Sequence, residues 1–432
     1  MPSASESTPL APRSFPTSGF EVVDHSELVE EETLPEYKAE RYYPVHIGQV
    51  FNNRYQVVGK LGYGVTSTVW LARDLVEPDD PGYIALKVYV TGYTRGNELA
   101  IYECINSISA ESEHSGRHDI RKLLSSFEIQ GSKGKHMCIV HQALGITMER
   151  LLDFLPNRSL GLGEIKTFLR QLLIGLDFLH TEAGVIHTDI QLKNLLLPVG
   201  DPLHYEEFEE GEYNDPAYRK ILKDRTIYGT RYMSQKPQGH PLICDFGEAR
   251  FFDQEHDDDI MPDIYRAPEV VMHMNWNYKV DIWSVAMVAW DLVASHTLFH
   301  RQNPETNEPD DRYLIAEMTA VMGPPPLEYR RRSKMSQLFW DENGEWKETV
   351  PLPNITLESL AEDINGDNKE GFLRFLGKIL RWLPEERPCA EELLYDPWLM
   401  DGLSFSDEEI KGWREEAGRK RSALEKRSQP AS

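Results

Sequence analysis

The stretch VIHTDIQLKNL, residues 185–195, determines the fold and the chemistry that we expect of this chain. It follows a long segment whose apolar residues recur at helical spacing, and it places Asp189 and Asn194 five residues apart. A carboxylate in such a loop can accept a proton, and an amide oxygen five residues later can ligate a metal ion. The pair therefore indicates a catalytic loop.

A second metal ligand follows further along the chain. DFG, residues 245–247, comes directly after the apolar pair Leu242 and Ile243. The Asp245 carboxylate offers hard oxygens, which suit Mg²⁺ that is shared with phosphate groups. Either short motif occurs by chance, but their order, together with a lysine in an upstream strand, makes chance a poor explanation.

Upstream, the stretch LGYGVTSTV, residues 61–69 and termed the glycine loop below, lies between two predicted strands. Gly62 and Gly64 have no side chains, so the backbone N–H groups there can approach a triphosphate. A glycine-containing hairpin without a ligand is the more common explanation of such a stretch taken alone.

Lys87 lies within the apolar predicted strand YIALKVYV, and a lysine that points inward from such a strand needs a counter-charge. Glu98 and Glu103 in the next predicted helix are the two candidates. At about 100° per residue, Glu98 falls on the apolar side of the helix, whereas Glu103 falls about 140° away from it. We therefore expect Glu98 to face Lys87, although a surface lysine and a surface glutamate remain the alternative for either residue alone.

Two further motifs have structural roles in this interpretation. APE, residues 267–269, follows Asp245 by the length of one long loop, and Arg387 is a suitable partner for a buried Glu269. Asp281 opens an apolar helix, where its carboxylate can accept hydrogen bonds from backbone N–H groups of the catalytic loop. These residues would hold the site without touching a nucleotide.

The composition limits the classes of protein that fit. The chain has 432 residues, of which 40% are hydrophobic, enough for one large core or two lobes. No apolar run is long enough to span a membrane, the polar start is not a secretory signal, and four scattered cysteines favour a reducing compartment. The net charge of −25 argues against nucleic-acid binding and suits basic partners, although solubility alone explains it as well.

Predicted strands come first along the chain and predicted helices follow, which indicates an α+β fold of two segregated lobes. The smaller, mostly β lobe carries one main helix, and the larger lobe is mostly helical. The predicted organisation is a disordered tail over 1–40, a lead-in over 41–54, one domain over 55–399 with lobes 55–144 and 145–399, a loop-like acidic insert over about 198–241, and a charged tail or surface helix over 400–432.

Over about residues 55–399 the chain resembles protein kinases, and more narrowly it resembles the SR-protein kinases. The narrower resemblance lies in HIGQVFNNRY at 46–55, STVW at 67–70, HTDI at 187–190 with threonine in the usual arginine position, the insert, and DIWS at 281–284. It implies a bilobal kinase fold that binds ATP and Mg²⁺. It also implies a monomer in the cytoplasm or nucleus that phosphorylates serines of Arg/Ser-rich proteins of RNA processing.

The resemblance assigns roles residue by residue. Asp189 would be the catalytic base, Lys87 with Glu98 would hold the phosphates, and Asn194 with Asp245 would hold Mg²⁺. His141 would border the adenine pocket. The implied ATP-binding set is Leu61, Gly62, Tyr63, Gly64, Val65, Thr66, Ser67 (in place of a third glycine), Val69, Ala85, Lys87, and the backbones of Gln142 and Leu144.

The segment from Asp245 to Glu269 contains no serine or threonine, and Tyr265 is its only hydroxyl-bearing residue. Thr188 stands where many kinases have an arginine that binds an activation-loop phosphate. The sequence therefore predicts a kinase that does not require phosphorylation of this segment.

Acidic residues in two loops are candidates for binding a basic peptide. Asp257, Asp258 and Asp259 lie in the activation segment, and Asp310 and Asp311 lie where the family has its docking groove. A solvated acidic loop explains the first group equally well.

Gln191 departs from the family pattern, which has a lysine two residues after the catalytic aspartate. Glutamine can donate a hydrogen bond but has no charge, so stabilisation of the transferring phosphoryl group is weaker. A pseudokinase that acts as a scaffold is therefore one alternative. A small-molecule kinase of the aminoglycoside-phosphotransferase type is another, but the APE motif and Asp281 favour a peptide-binding enzyme.

Overall fold

The computed structural model describes residues 9–76, 82–92, 97–233, 239–364 and 366–427. The chain divides into two units. The first unit comprises residues 1–99, 121–146 and 197–239, and the second comprises residues 100–120, 147–196 and 240–432.

Strands dominate the first unit and helices dominate the second, with α1 beginning in the first and continuing in the second. The strands are β1 Val50–Phe51, β2 Tyr55–Tyr63, β3 Ser67–Asp74, β4 Tyr83–Tyr89, β5 Leu123–Gln130, β6 Lys135–Gln142, β7 Val185–Ile186, β8 Leu195–Leu196, β9 Arg219–Ile221, β10 Thr226–Tyr228, β11 Leu242–Ile243 and β12 Arg250–Phe251. The helices are α1 Glu98–Glu111, α2 Met148–Leu152, α3 Leu162–Phe178, α4 Leu203–Asn214, α5 Pro268–Val271, α6 Lys279–Val293, α7 Asp311–Met322, α8 Leu327–Arg332, α9 Ser336–Phe339, α10 Leu357–Leu360, α11 Lys369–Ile379, α12 Ala390–Leu394, α13 Pro397–Met400 and α14 Asp407–Arg427.

The main sheet of the first unit is antiparallel, in the order β1-β2-β3-β4-β6-β5. Valine, leucine and tryptophan side chains from its strands form a buried cluster, in which Val57, Leu86 and Val140 are fully enclosed. The strands predicted on both sides of the glycine loop are present.

The insert differs from its prediction as a loop, because part of it is regular structure. The acidic run forms helix α4, and the two strands that follow it along the chain, β9 and β10, pair with each other. Tyr205, Phe208, Glu209 and Glu212 are the buried residues of α4, and their spacing matches one face of a helix. The high charge of this segment concealed that face. Residues 234–238 of the insert lie outside the described residues.

The N-terminal segment, residues 9–49, also differs from its prediction as a disordered tail up to residue 40. Val22 forms a parallel bridge with Arg219, and Arg13 lies 3.2 Å from Glu209 of α4. Lys220 of β9 pairs with Glu32 at 2.8 Å. Charged pairs with the insert hold this segment, and no hydrophobic periodicity could have indicated them. Residues 1–8 lie outside the described residues.

Short strand pairs in the second unit position the catalytic loop. β7 pairs with β12 on one side of it, and β8 pairs with β11 on the other. Helix α3 precedes the loop and buries Ile165, Leu169 and Leu176 at helical spacing, as predicted. Helix α6 lies almost entirely within the core of this unit.

The C-terminal region is helical over α14, where the sequence left a surface helix or a tail open. Arg414 donates to the backbone oxygen of Tyr395, and Trp413 packs against the Tyr395 ring. Residues 428–432 lie outside the described residues. Across the described part of the chain, no helix combines the length and the hydropathy needed to cross a membrane.

Candidate active site

The catalytic loop is held by the buried carboxylate of Asp281. Its Oδ1 accepts the backbone N–H of Thr188 at 2.8 Å, and its Oδ2 accepts the backbone N–H of His187 at 2.8 Å. His180 Nε2 lies 2.8 Å from the same Oδ2. Asp281 is fully buried, so these contacts are strong and fix the loop backbone. The geometry matches the structural role that the sequence suggested for this residue.

Asp189 is oriented by the two polar residues that follow it. Asn194 Nδ2 donates to Asp189 Oδ2 at 2.7 Å, and Gln191 Nε2 donates to Oδ1. Burial raises the pKa of Asp189, while the charges of Lys193 and His187 partly oppose this effect. The result is a carboxylate with a fixed direction and increased proton affinity, which is what a general base requires.

Asn194 and Asp245 lie at the same end of a strand pair. Ile243 of β11 pairs with Leu195 of β8, and beyond them the N–H of Cys244 donates to the oxygen of Asn194 at 2.9 Å. The Asn194 amide nitrogen is directed at Asp189, so its side-chain oxygen is the atom suited to a metal ion. An amide oxygen and a carboxylate fit Mg²⁺, which keeps its other positions for water and phosphate.

In the first unit, Lys87 and Glu98 form a buried ion pair. Lys87 Nζ lies 3.0 Å from Glu98 Oε2, and the two residues are only 8% and 2% exposed. Glu98 is the first residue of α1, whereas Glu103 is exposed, as the helix geometry predicted. Such a pair holds the lysine ammonium in one direction, so the lysine can meet phosphate oxygens at little further entropic cost.

The glycine loop leaves space beside its backbone. A Cβ atom at Gly62 or Gly64 would meet nothing within 4 Å. The loop closes where the N–H of Gly64 donates to the oxygen of Ser67 at 2.8 Å. Of the other predicted ATP-binding residues, Val69 and Lys87 are paired between β3 and β4, and Ala85 is buried in β4.

The segment predicted to meet adenine is fixed by neighbouring polar contacts. The Gln142 oxygen accepts from Arg121 Nε at 3.0 Å, and its second lone pair is suited to an exocyclic amine. The adjacent oxygen of Ala143 accepts the Tyr205 hydroxyl at 2.8 Å, so helix α4 of the insert supports this segment. His141 and Leu144 are both buried.

The activation segment is held by contacts that involve no phosphate. The Thr188 hydroxyl donates to the oxygen of Glu248 at 2.6 Å, so threonine anchors this segment directly. Arg250 pairs with Asp258 at 2.7 Å, and Trp276 donates to the Asp258 oxygen at 2.9 Å. Arg250 therefore has a carboxylate of the same segment as its partner.

The acidic residues predicted to bind substrate are mostly engaged within the chain. Asp258 pairs with Arg250 as described, Asp259 pairs with Arg266 at 3.1 Å, and Asp311 pairs with Arg301 at 2.5 Å. Asp310 caps helix α7 and pairs with Arg312 at 2.6 Å. Asp257 is exposed. Nearby arginines therefore neutralise most of the acidic residues that were predicted to bind a basic peptide. Sequence spacing alone could not reveal this pairing.

A cavity of about 310 Å³ adjoins the catalytic loop in the second unit. It is lined by Gln191, by Glu149 of α2, and by Tyr265 and Asp291. The Tyr265 hydroxyl donates to Asp291 Oδ2 at 2.5 Å. Burial raises the pKa of Asp291 to about 6; the hydrogen bond from Tyr265 opposes this rise, and the charge of Glu149 adds to it. The charge of Glu149 disfavours the ionised form of Asp291, and a cation entering the cavity would favour it.

Two cations also line this cavity, and each has another role. Arg158 lies 2.6 Å from Asp153, and the charge of Lys193 acts on Asp189. The sequence reasoning missed the cavity. Its one signal was Asp291, a charged residue in the otherwise apolar run of α6.

The predicted structural pair is present and deeply buried. Arg387 Nη2 lies 2.6 Å from Glu269 Oε2, and Nη1 lies 2.7 Å from Oε1. Both side chains are at most 1% exposed. This bidentate pair fixes the end of the activation segment to the loop that precedes α12.

Comparisons with known proteins identify the family and the fold. A family model described as "protein kinase domain" matches residues 55–399. A serine/threonine protein kinase of Aspergillus fumigatus is 41% identical over 396 residues, which cover 91% of this chain and 96% of that protein. A serine/threonine-protein kinase SRPK of Physarum polycephalum is 29% identical, over 87% of this chain and 93% of that protein.

A solved crystal structure of a kinase domain has the same fold. Its TM-score is 0.61 at 21% sequence identity, and the match covers 83% of this chain and 99% of that one.

Proposed function

The chain belongs to the protein kinase family, as a serine/threonine kinase of the SR-protein kinase type, and from this premise we propose that it phosphorylates serines flanked by arginine. The observation that carries the proposal is the arrangement around Asp189, whose carboxylate is directed by Asn194 and Gln191 on a loop held by Asp281. This is the geometry that proton transfer from a bound hydroxyl requires.

In the proposed reaction Asp189 accepts the proton of the serine hydroxyl. The serine oxygen forms a bond to the γ-phosphorus as the bond between that phosphorus and ADP breaks. Lys87 holds phosphate oxygens, with Glu98 fixing its direction. Asn194 and Asp245 would hold Mg²⁺, which neutralises phosphate charge when it is bound.

Gln191 is compatible with catalysis in this arrangement. Its amide donates to Asp189 and thereby helps to direct the base, which is a positive role in place of the lysine's charge. The pseudokinase alternative is opposed by the five kinase residues that the sequence retains: Lys87, Glu98, Asp189, Asn194 and Asp245. The hydrogen bonds from Asn194 to Asp189 and the buried Lys87–Glu98 pair support an active enzyme instead.

We also propose that the enzyme is active without phosphorylation of its activation segment. The support is the Thr188 contact to Glu248 and the pair between Arg250 and Asp258, which together hold the segment. We also propose that the enzyme is a monomer and that it acts in the cytoplasm or the nucleus.

Selectivity for arginine beside the target serine is proposed to arise in the cavity lined by Glu149 and Asp291. The cavity adjoins Gln191, two residues from the base, so a residue adjacent to the target serine can reach it. A guanidinium would pair with both carboxylates and remove the repulsion between them. This cavity replaces most of the acidic loop residues as the proposed source of selectivity.

Phosphate transfer from radiolabelled ATP to matched substrates tests the function. One peptide carries serine flanked by arginine, a second carries glutamate in place of each arginine, and small alcohols form a third group. We expect transfer to the arginine peptide at a rate at least about tenfold above the glutamate peptide, since one buried charge pair is worth this much. Equal rates on the two peptides would refute the selectivity, and transfer only to small alcohols would refute the protein kinase activity.

A further inference from the structure

Lys60 is a buried lysine in the strand that leads into the glycine loop. It lies in β2 directly before Leu61, and only 1% of its surface is exposed. Its Nζ lies 3.3 Å from Glu30 Oε2 and also contacts Glu31. Both carboxylates come from the N-terminal segment. Burial would raise the pKa of Glu30, but Lys60 and the hydrogen bonds to this carboxylate outweigh burial and lower it. The Glu30 carboxylate is therefore ionised at neutral pH and faces Lys60.

The insert joins the same contact from another direction. Thr230 forms a parallel bridge with Lys60, and the N–H of Arg231 donates to the Lys60 oxygen at 2.9 Å. Glu30 accepts from the Thr230 N–H at 2.9 Å and from the Tyr218 hydroxyl at 2.6 Å. One carboxylate of the N-terminal segment thus connects β2 to two parts of the insert.

A third contact reaches the glycine loop itself. The Tyr42 hydroxyl donates to the backbone oxygen of Gly64 at 2.9 Å. Tyr42 is buried, and its neighbour Arg41 is fixed because the Arg41 oxygen accepts the N–H of Thr91 at 2.8 Å. The N-terminal segment therefore holds the Tyr42 hydroxyl against the glycine loop.

We propose that Tyr42 and the Glu30–Lys60 pair are positioning residues of the glycine loop, so that the segment before the kinase domain increases affinity for the nucleotide. A loop with two glycines samples many backbone conformations, and binding is weakened by the fraction of time spent in the others. Contacts on both the entering strand and the loop oxygen reduce that freedom before the nucleotide binds. This inference depends on the proposed ATP binding.

The full chain is titrated with Mg-ADP by calorimetry, and the Michaelis constant for ATP is measured beside the Michaelis constant for peptide. Tyr42→Phe removes one hydrogen bond to the loop, and we expect the dissociation constant to rise roughly three- to tenfold. The constant for peptide should stay the same. Amide hydrogen exchange at Gly62 and Gly64 without nucleotide should be faster in Tyr42→Phe than in the wild type.

Two control variants separate positioning from general stability. Tyr43→Phe removes the neighbouring hydroxyl, which contacts Gln49 at 3.1 Å instead of the loop. Lys220→Met breaks the pair with Glu32, which also joins the insert to the N-terminal segment but lies away from β2. We expect neither to change the ADP constant, even where Lys220→Met lowers the melting temperature. Lys60→Met combined with Glu31→Gln should weaken ADP binding as Tyr42→Phe does.

The outcomes separate this inference from the proposed function. A wild type that binds no Mg-ADP would refute the nucleotide site itself. Wild-type binding with an unchanged constant and unchanged exchange in Tyr42→Phe would overturn the positioning role of Tyr42. An unchanged constant in the variant that combines Lys60→Met with Glu31→Gln would overturn that of the Glu30–Lys60 pair. An equal loss of affinity in Tyr43→Phe would also overturn it, because the effect would then be general to the segment.

Discussion

At the scale of single residues, Asp189 carries the strongest prediction about pH. Its carboxylate must be ionised to accept a proton, and burial raises its pKa above the ordinary value. A raised pKa means that protonation begins at a higher pH than for an exposed aspartate near about 3.9. We therefore expect kcat/KM to begin falling at a higher pH than the protonation of an exposed aspartate would cause. A pH–rate profile measures this fall. A profile that stays flat down to pH of about 4 would contradict this role.

Asp291 carries a separate prediction about selectivity. Its pKa of about 6 means that it is ionised above this pH and can then pair with an arginine of the peptide. The preference for an arginine-flanked peptide over its alanine counterpart should therefore weaken as the pH falls through about 6. Comparing kcat/KM for the two peptides from pH 5 to 8 measures it.

Substitution of the same residue gives the matched test. Asp291→Asn keeps the shape and can still accept from Tyr265, but it has no charge at any pH. We expect the arginine preference to fall about tenfold, with little change for the alanine peptide. Asp257→Asn, an exposed residue of the activation segment, is the control. If Asp257→Asn removes the preference and Asp291→Asn does not, the acidic loop is the source of selectivity.

Single residues also show which side-chain partners can be predicted from the sequence. The Lys87–Glu98 pair was predictable, because helix geometry determines which glutamate faces the lysine. The hydrogen bond between Asn194 and Asp189 was not predicted, although both residues were assigned to the site. Asp258 and Asp311 were assigned to substrate, yet each pairs with an arginine of this chain. Such pairing depends on how distant segments pack, and spacing contains no information about it.

At the scale of elements, helix α4 shows how charge can conceal a regular structure. Its sequence is dominated by glutamates, but Tyr205 and Phe208 share one face with two buried glutamates. Phe208 packs so closely on β2 that a Cβ atom at Gly59 would lie 2.8 Å from its ring. The buried glutamates are paired with arginines, so the charged face is also part of the interior.

The packing of α4 gives a prediction about stability. Phe208→Ala should lower the free energy of unfolding of the first unit by about 3 kcal/mol, through lost burial and the cavity left behind. Leu203→Ala removes an apolar side chain of the same helix that is 56% exposed, and should cost less than about 0.5 kcal/mol. Urea unfolding of the full chain, followed by tryptophan fluorescence, measures both. Equal effects would mean that the insert does not pack on the sheet in solution.

At the scale of the whole molecule, the strand-then-helix order predicted an α+β fold, and the resemblance predicted a protein kinase fold. The comparisons confirm the kinase fold. The N-terminal segment was not predicted as ordered, because it is held by ion pairs such as Lys220–Glu32. The insert was not predicted as ordered, because its high charge concealed the apolar face of α4. Many of the carboxylates that contribute to the net charge of −25 are therefore paired within the chain, and others form exposed acidic surface.

The proposed activity without an activating phosphate is a property of the whole chain. Protein treated with phosphatase should retain its full kcat, because the activation segment is held by carboxylate and backbone contacts such as Arg250–Asp258. Arg250→Ala should lower kcat, while Arg374→Ala, an exposed arginine of α11, should not. A large loss of activity on phosphatase treatment, with a phosphate found within residues 245–269, would sink this proposal.

The most direct test of the account is phosphate transfer from radiolabelled ATP to an arginine-flanked serine peptide. We expect the wild type to transfer phosphate and Asp189→Ala to lose about 10²- to 10⁴-fold in kcat, with Mg-ADP affinity retained. Gln191→Lys should change the wild-type rate only modestly, because the native glutamine already directs the base. No transfer by the wild type, together with transfer by Gln191→Lys, would contradict the account and identify the chain as a pseudokinase.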